Sequence, residues 1–261
     1  YLNIILFDLD LQAFCRKYSN DFFEISCHDK FRIYSIVKKL NKKCNIKGVL
    51  CYSSSPEALI TASYISNKLN LPTFSKKSVE ICYDKNLFYK ALSSVINLPK
   101  RIKPSEKSIK FPCIIKKKDG IGSKGTRKID TKSFFDLELK KIQSKINKKD
   151  FFVEEFIEGN LFHIDGIVQD NNIEIINAVK KNVTYINQIP LTSGYESYFD
   201  LFKSKIFSDI SKQINNGVKV ININNHFFGV DLIISPDFNT FKILEIGYLL
   251  DAKMDRFLFH S

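Results

Sequence analysis

The chain has 261 residues, enough for one large domain or two modest ones, and its 44% apolar content with 23 phenylalanines excludes a disordered chain. No apolar run is long enough to cross a bilayer, and the six cysteines include no CxxC pair and no metal-ligand spacing, so we expect a cytoplasmic protein with no membrane partner. The net charge of +12 comes from lysines spread along the whole chain, without a nucleic-acid-binding motif. We therefore expect anionic small molecules as ligands and no nucleic-acid partner.

The first third of the chain alternates between predicted strands and predicted helices. The strands are expected over residues 2–7, 22–26 and 48–52, and the helices over 31–43 and 56–70. This alternation predicts a small parallel α/β layer. The turn after the third strand lies at a carboxyl strand end, where such sheets usually bind ligands.

Asp84 begins the next predicted helix, which ends before Leu98-Pro99. The residues that follow, 100–108, are polar, contain Pro104 and are typical of a linker. The sequence therefore predicts a domain boundary near residue 99, with domains over 1–99 and 100–261.

Residues 110–129 predict a strand, a glycine-bearing loop and a second strand. Three lysines, 116–118, leave the first strand, and the loop contains Gly120, Gly122 and Gly125. Glycines let backbone N–H groups approach phosphate oxygens, and lysine supplies a mobile cation, so the stretch suits a polyphosphate. It lacks both the GK[ST] run of a Walker loop and the glycine spacing of a dinucleotide fingerprint. A solvated hairpin tip in a lysine-rich protein explains these residues equally well.

Several further elements follow from periodicity and turn signals. Alternating apolar and polar residues on both sides of 170–172 predict an antiparallel hairpin. Residues 183–200 contain Pro190 and Gly194 and are predicted to form an irregular, substrate-facing loop. Helices are also predicted over 132–146, 202–220 and 249–260, and a strand over 151–157.

The last predicted hairpin, around the turn at 236–240, carries Asp231 on one strand and Glu245 on the other. Each residue lies five positions outside the turn, so the two carboxylates are expected to face each other. Converging carboxylates suit Mg²⁺, which also keeps waters and substrate phosphates as ligands. The alternative is a pair of ordinary solvent-facing residues, but both lie in strongly apolar strands, where an unpaired carboxylate is costly. We favour metal ligands.

The segment VEEFIEG, residues 153–159, predicts a strand end followed by exposed backbone groups. Such an edge can hydrogen-bond an adenine ring held between apolar side chains. A strand followed by a simple turn is the alternative.

Three stretches, in this order, resemble the ATP-grasp superfamily: FPCIIKKKDGIGSKG, VEEFIEGNLFHIDG and GVDLIISPDFNTFKILEIG. Family members typically have a strand with an ATP lysine, a DGxGSxG loop, an EExIxG hinge and a carboxylate hairpin ending in Glu-Ile. The resemblance extends over roughly residues 47–261. It implies an α/β protein, in which an ATP-grasp fold with subdomains at about 100–157 and 158–261 follows a small parallel-sheet domain.

The resemblance implies a role for each matching residue. Lys85 and Lys116 would bind the nucleotide phosphates and act as catalytic cations. Asp231 and Glu245 would hold Mg²⁺ or Mn²⁺. The loop over the triphosphate would include Gly120, Gly122, Ser123 and Gly125, and the adenine side would include Glu154, Glu155, Phe156 and Ile157. His163 is also expected to bind the nucleotide.

The sequence departs from the family pattern at several of these positions. Lys117 replaces a usual proline, Leu161 replaces a glutamate that often binds ribose, and Gly247 replaces an asparagine that often binds metal. The arginine often found around the last hairpin is also absent. Arg256 or Lys253 in the tail is its expected substitute, with Arg256 as a catalytic residue.

The family's commonest chemistry implies an ATP-dependent ligase that joins a small-molecule carboxylate to an amine through an acylphosphate. An ATP-grasp phosphotransferase and a catalytically degenerate ATP-binding protein are the alternatives. The acceptor site is expected near residues 53–55, His163, Asp165, Lys180 and 184–200. A homodimer is one expected assembly.

Overall fold

The computed structural model describes residues 2–53, 55–104, 109–118, 125–145 and 151–248. No helix within these ranges is long and apolar enough to span a bilayer. The helices are α1 (Lys30–Leu40), α2 (Pro56–Lys68), α3 (Lys76–Tyr83), α4 (Lys85–Leu92), α5 (Lys132–Lys145) and α6 (Phe207–Ile221). The strands are β1 (Ile5–Asp8), β2 (Asp21–Glu24), β3 (Arg101–Ile102), β4 (Cys113–Lys117), β5 (Thr126–Ile129), β6 (Phe151–Glu155), β7 (Asn160–Gln169), β8 (Asn172–Ile186), β9 (Ile189–Ser197), β10 (His226–Ile234) and β11 (Phe241–Gly247).

The N-terminal region contains a parallel strand pair, β1 and β2, followed by helices, and the predicted α/β class is confirmed. Ser55 caps α2 by accepting a hydrogen bond from the backbone N–H of Ala58, and Pro56 occupies the first turn, where its missing N–H costs nothing. The strand predicted at 48–52 is wrong. Leu50 is 67% exposed, and the segment joins β10 through one hydrogen bond, from His226 Nε2 to the carbonyl of Cys51 at 3.1 Å. A short apolar run cannot by itself distinguish a strand from an irregular segment packed on a core.

Helix α3 was not predicted from the sequence. It is only eight residues long, and Ser75 caps it by accepting from the N–H of Ser78. Its fully buried residues are the adjacent Ser78 and Val79, of which only Val79 is apolar, so the segment shows almost no helical apolar periodicity. Asp84 follows α3 and begins α4, as predicted. Its carboxylate caps α4 by accepting from the backbone N–H groups of Asn86 and Leu87.

The larger sheet has the order β11-β10-β7-β8-β9, and every neighbouring pair is antiparallel. The predicted hairpin between β7 and β8 is confirmed, and it turns through Asp170 and Asn171, both with positive φ. The irregular loop predicted over 183–200 is wrong, because β8 continues to Ile186 and turns through residues 187–188 into β9. Pro190 is tolerated there because β9 is the edge strand.

One face of this sheet packs on α6 and on α2, α3 and α4, which together form the largest core. Even-numbered residues of β10, such as Phe228, Val230 and Leu232, are fully buried on that face. Gly217 of α6 allows the close approach, since a Cβ there would lie 2.6 Å from the Ile246 side chain. Alternation therefore turns Asp231 to the opposite face of the sheet.

The smaller sheet has the order β3-β6-β4-β5 and packs on α5 around Cys113, Ile115, Phe135 and Val153. The largest core contains residues from both sides of the predicted boundary at 99, because helices α2 to α4 contribute to it. The division into domains at that residue stays a prediction.

Candidate nucleotide site

A narrow cavity lies where α4, the smaller sheet and β11 meet. Its lining includes Lys85, Lys116, Glu154 and Glu245, four residues that the sequence assigned to one site. The cavity has a volume of about 20 Å³. A cavity of this size holds about one water molecule, so a nucleotide requires the cavity walls to move apart.

Lys116 and Glu154 form an ion pair across two neighbouring strands. The register places Glu154 of β6 opposite Ile114 of β4, and Lys116 is two residues further along the same face of β4. The Lys116 Nζ lies 2.8 Å from the Glu154 Oε2, and the two side chains are only 15% and 8% exposed. The pair places one cation and one hydrogen-bond acceptor side by side in the cavity wall.

Lys85 is brought to the cavity by contacts between the start of α4 and the end of β4. The backbone N–H of Lys85 donates to the carbonyl of Lys118 at 3.3 Å. The Lys118 Nζ lies 3.0 Å from the carboxylate of Asp84, the residue that caps α4. These contacts fix the first turn of α4 beside the strand that carries Lys116.

Arg101 is a cavity residue that the sequence reasoning missed. Its Nη1 donates to the Asn86 Oδ1 and its Nη2 to the carbonyl of Lys85, both at 2.7 Å. Its guanidinium lies 3.9 Å from the ring centroid of Phe152 and 4.3 Å from that of Tyr89, which are cation–π contacts. Arg101 therefore holds α4 against β6. It lies in the polar stretch interpreted as a linker, and no local pattern separates it from the lysines around it.

The carboxylates of the last hairpin face each other as predicted, since Asp231 of β10 is paired with Glu245 of β11. The Asp231 Oδ1 also accepts hydrogen bonds from the Lys181 Nζ at 2.8 Å and from the His163 Nδ1 at 2.5 Å. Beyond His163, the Nε2 atom lies 2.9 Å from the Oδ1 of Asp165. The Asp165 Oδ2 accepts from the Asn177 Nδ2 at 3.2 Å, which extends the network to a fifth side chain.

His163, Asp165 and Asn177 are buried and Asp231 is 20% exposed, and the charges of the network shift the pKa values of its members. Burial lowers the pKa of His163, but the Asp231 charge and the hydrogen bonds to Asp165 and Asp231 outweigh burial and raise it to about 9. Burial raises the pKa of Asp231, but His163 and then Lys181 outweigh it and hold that pKa well below its usual range. Both groups are therefore ionised at neutral pH.

The contacts of Asp231 and Glu245 show how well this carboxylate pair fits a magnesium ion. Within the described ranges, no three His, Cys, Asp or Glu side chains converge to hold a metal ion. One oxygen of Asp231 already accepts from two cationic groups, whereas Glu245 is an exposed residue that lines the cavity. The residues fit a Mg²⁺ ion that shares its ligands between Glu245 and nucleotide phosphates, and they do not fit a cage built of protein side chains.

Other predicted site residues lie around the cavity. Glu155 joins β6 to the chain before β3, because its Oε1 accepts from the Lys100 N–H at 2.8 Å. Phe156 lies under the Lys128 ammonium, 4.9 Å from the ring centroid, and Ile157 is half-buried directly after β6. Gly120, Gly122, Ser123, Lys253 and Arg256 lie outside the described residues, as does the helix predicted over 249–260.

Gly125 is the described residue of the predicted glycine loop. Its φ of +80° belongs to the left-handed region, and a Cβ there would lie 2.7 Å from the Cβ of Lys117. Its carbonyl accepts from the Lys117 N–H at 3.0 Å, so Gly125 lies against the end of β4. The left-handed φ and the close contact with Lys117 both favour glycine at this position.

Comparison with known proteins identifies a family for the part of the chain that contains the cavity. A family model described as an ATP-grasp domain matches residues 82–247. No curated protein matches the chain at a significant level.

Solved structures share the fold at low sequence identity. Phosphoribosylglycinamide synthetase from Anaerococcus prevotii matches at a TM-score of 0.72 and 18% identity, over 97% of this chain and 63% of that one. L-amino acid ligase from Bacillus licheniformis matches at 0.69 and 16%, over 97% and 62%. D-alanine–D-alanine ligase from Bacillus anthracis matches at 0.63 and 15%, over 95% and 86%. The chain thus spans about three fifths of the length of the first two, and it belongs to the ATP-grasp family.

Proposed function

We propose that this chain acts as an ATP-dependent ligase that joins a small-molecule carboxylate to an amine. The observation that carries the proposal is the convergence of Lys85, Lys116, Glu154 and Glu245 on one cavity. These residues come from four elements that are distant in the sequence, and they supply cations for phosphates and an acceptor for an amino group. The ligase names of the similar structures support the same class of reaction.

In this proposal ATP binds between the two sheets. Lys85 and Lys116 contact phosphate oxygens, and the carboxylate of Glu154 accepts a hydrogen bond from the adenine amino group. The glycine loop that ends at Gly125 covers the triphosphate and excludes water. A bound Mg²⁺ or Mn²⁺, held by Glu245 and phosphate oxygens, would neutralise phosphate charge.

The reaction would proceed in two transfers. A carboxylate oxygen of the substrate attacks the γ-phosphorus, the bond to the bridging oxygen breaks, and ADP leaves with the electron pair. The amine nitrogen then attacks the acyl carbon of the acylphosphate, inorganic phosphate leaves, and the nitrogen loses a proton. The protein acts by positioning and charge neutralisation, without a covalent enzyme intermediate.

The acceptor substrates are proposed to bind near Ser55 and Lys180. The domain over residues 1–99 would supply one wall of that site. All six cysteines are free thiols, which supports the proposal of a reducing, cytoplasmic environment.

An ADP-release screen over amino acids and sugar acids, with and without amines, tests this function. Hydroxylamine added to each reaction should trap the acylphosphate as a hydroxamate, which mass spectrometry identifies. A stable phosphorylated product in place of a hydroxamate would indicate a phosphotransferase. ATP binding without turnover on any acceptor would indicate a degenerate nucleotide-binding protein.

A further inference from the structure

We propose that Lys181 is a built-in cation beside Asp231, which takes the place of one divalent ion, so that the nucleotide is bound with a single metal ion. This inference rests on the proposed function, because it concerns the phosphate end of the same site. It assigns to Lys181 a role that neither the sequence motifs nor the fold provides.

The first argument is the geometry at a single atom. The Oδ1 of Asp231 accepts from both the Lys181 Nζ and the His163 Nδ1, at 2.8 and 2.5 Å. A carboxylate oxygen has two lone-pair directions in its plane, and two charged donors use both of them. A metal ion at this oxygen would have to displace one of the donors.

The second argument is that the donors are fixed in place. The Lys181 side chain is 9% exposed, and the His163 side chain is 8% exposed. His163 is held from its far side by Asp165, which is fully buried. Separating Lys181 from Asp231 would leave two desolvated charges with weakened compensation, so the ammonium ion is a structural part of this surface.

The third argument concerns the other strand of the hairpin. Gly247, two residues after Glu245, offers no side-chain ligand, and a Cβ built there would meet nothing within 4 Å. The hairpin therefore presents Glu245 to a metal ion, whereas Gly247 has no side-chain ligand and the Asp231 Oδ1 is occupied. A metal ion at the Asp231 Oδ2 would lie beside the Lys181 and His163 cations, which repel it. One metal position remains.

Electron paramagnetic resonance of Mn²⁺ tests this count directly. The purified chain is titrated with Mn²⁺ at saturating concentrations of a non-hydrolysable ATP analogue, and bound Mn²⁺ is compared with bound nucleotide. We expect one Mn²⁺ per nucleotide in the parent chain. We expect two in Lys181→Met combined with Gly247→Asn, because that variant frees the carboxylate oxygen and adds an amide ligand.

Lys203→Met is the control, because the Lys203 side chain is 82% exposed and lies outside the proposed sites. It should keep one Mn²⁺ per nucleotide. Two Mn²⁺ per nucleotide in the parent chain would overturn the inference and leave the proposed function intact. One Mn²⁺ in a folded double variant would also overturn it, whereas failure of the parent chain to bind the nucleotide would remove both proposals.

Discussion

The smaller sheet and the larger sheet each carry a lysine–carboxylate pair with a separation of 2.8 Å. The pair is Lys116 with Glu154 in the smaller sheet and Lys181 with Asp231 in the larger sheet. The first pair lies in the wall of a cavity that is too small for a nucleotide. The second belongs to a buried network in which His163 and Asp165 hold the carboxylate in place.

The difference shows that a lysine–carboxylate pair can either exchange partners with a ligand or stabilise a fixed network. A pair in a cavity wall can exchange its mutual contact for contacts with a ligand, because phosphate replaces the carboxylate as partner of the lysine. A pair inside a polar network keeps its partners, because every group that is released leaves another one buried and unsatisfied. We therefore expect the smaller sheet to rearrange on nucleotide binding and the larger sheet to remain rigid.

The largest expected effect is a loss of stability caused by a change in the polar network of the larger sheet. Asp165→Ala removes the acceptor for both the His163 Nε2 and the Asn177 Nδ2, and it should lower the free energy of unfolding by roughly 3–5 kcal/mol. Urea unfolding followed by circular dichroism measures the change. Asp200→Ala is the control, because the Asp200 side chain is 82% exposed, and it should change little. Equal, small effects of both variants would show that the network is not a rigid framework.

The same network should make stability depend on pH in the absence of divalent ions. The pKa of His163 is raised to about 9 in the folded protein, above its ordinary value of about 6.5 in an unfolded chain. The stabilisation is therefore complete below pH 6.5 and is lost as the pH rises through about 9, with a total of roughly 3 kcal/mol.

Urea unfolding in EDTA at several pH values between 6 and 10 measures this loss. His163→Gln should show a flatter dependence, because its side chain does not titrate. Parallel profiles for the two proteins would contradict the protonated His163 on which the contrast between the sheets depends.

In the smaller sheet, Lys116→Met should weaken nucleotide binding, and it should also lower stability, because the Glu154 carboxylate is only 8% exposed and loses its partner. A charge-assisted hydrogen bond is worth roughly 1.5–3 kcal/mol, so we expect the Kd of a fluorescent ATP analogue to rise about 10- to 100-fold. Lys203→Met is the control, because the Lys203 side chain is 82% exposed. If both variants bind the analogue as the parent does, Lys116 is not a nucleotide contact.

The smallest effect is expected where the glycine loop rejoins the smaller sheet. Gly125→Ala should lower the free energy of unfolding by about 1 kcal/mol, because alanine is strained at a φ of +80° and its Cβ would contact Lys117. Gly48→Ala is the control, since a Cβ there meets nothing within 4 Å. Thermal unfolding of the two variants measures the difference, and identical midpoints would show that the loop adapts to a side chain.

Sequence patterns succeeded where the interacting residues are close along the chain or share a turn. The caps at Ser55 and Asp84 follow from local hydrogen bonding. The opposition of Asp231 and Glu245 was predicted by counting outward from the turn, but a register shift after Asp231 produces it, since Ile234 pairs with Phe241. The second hairpin of the larger sheet was missed because Pro190 suggested a loop, although an edge strand accepts proline.

The sequence by itself determined the α/β class, the family motifs and the types of residue that meet at the cavity. Tertiary structure alone decided which charges pair. Lys181 and His163 reach Asp231 across 50 and 68 residues of chain, and Arg101 reaches the cavity only because β3 pairs with β6. A register shift between Asp165 and Gly166 also alters which side chains share a face. Because a slip of one residue reverses the face of every side chain in a strand, strand register rather than composition places Lys181 beside Asp231.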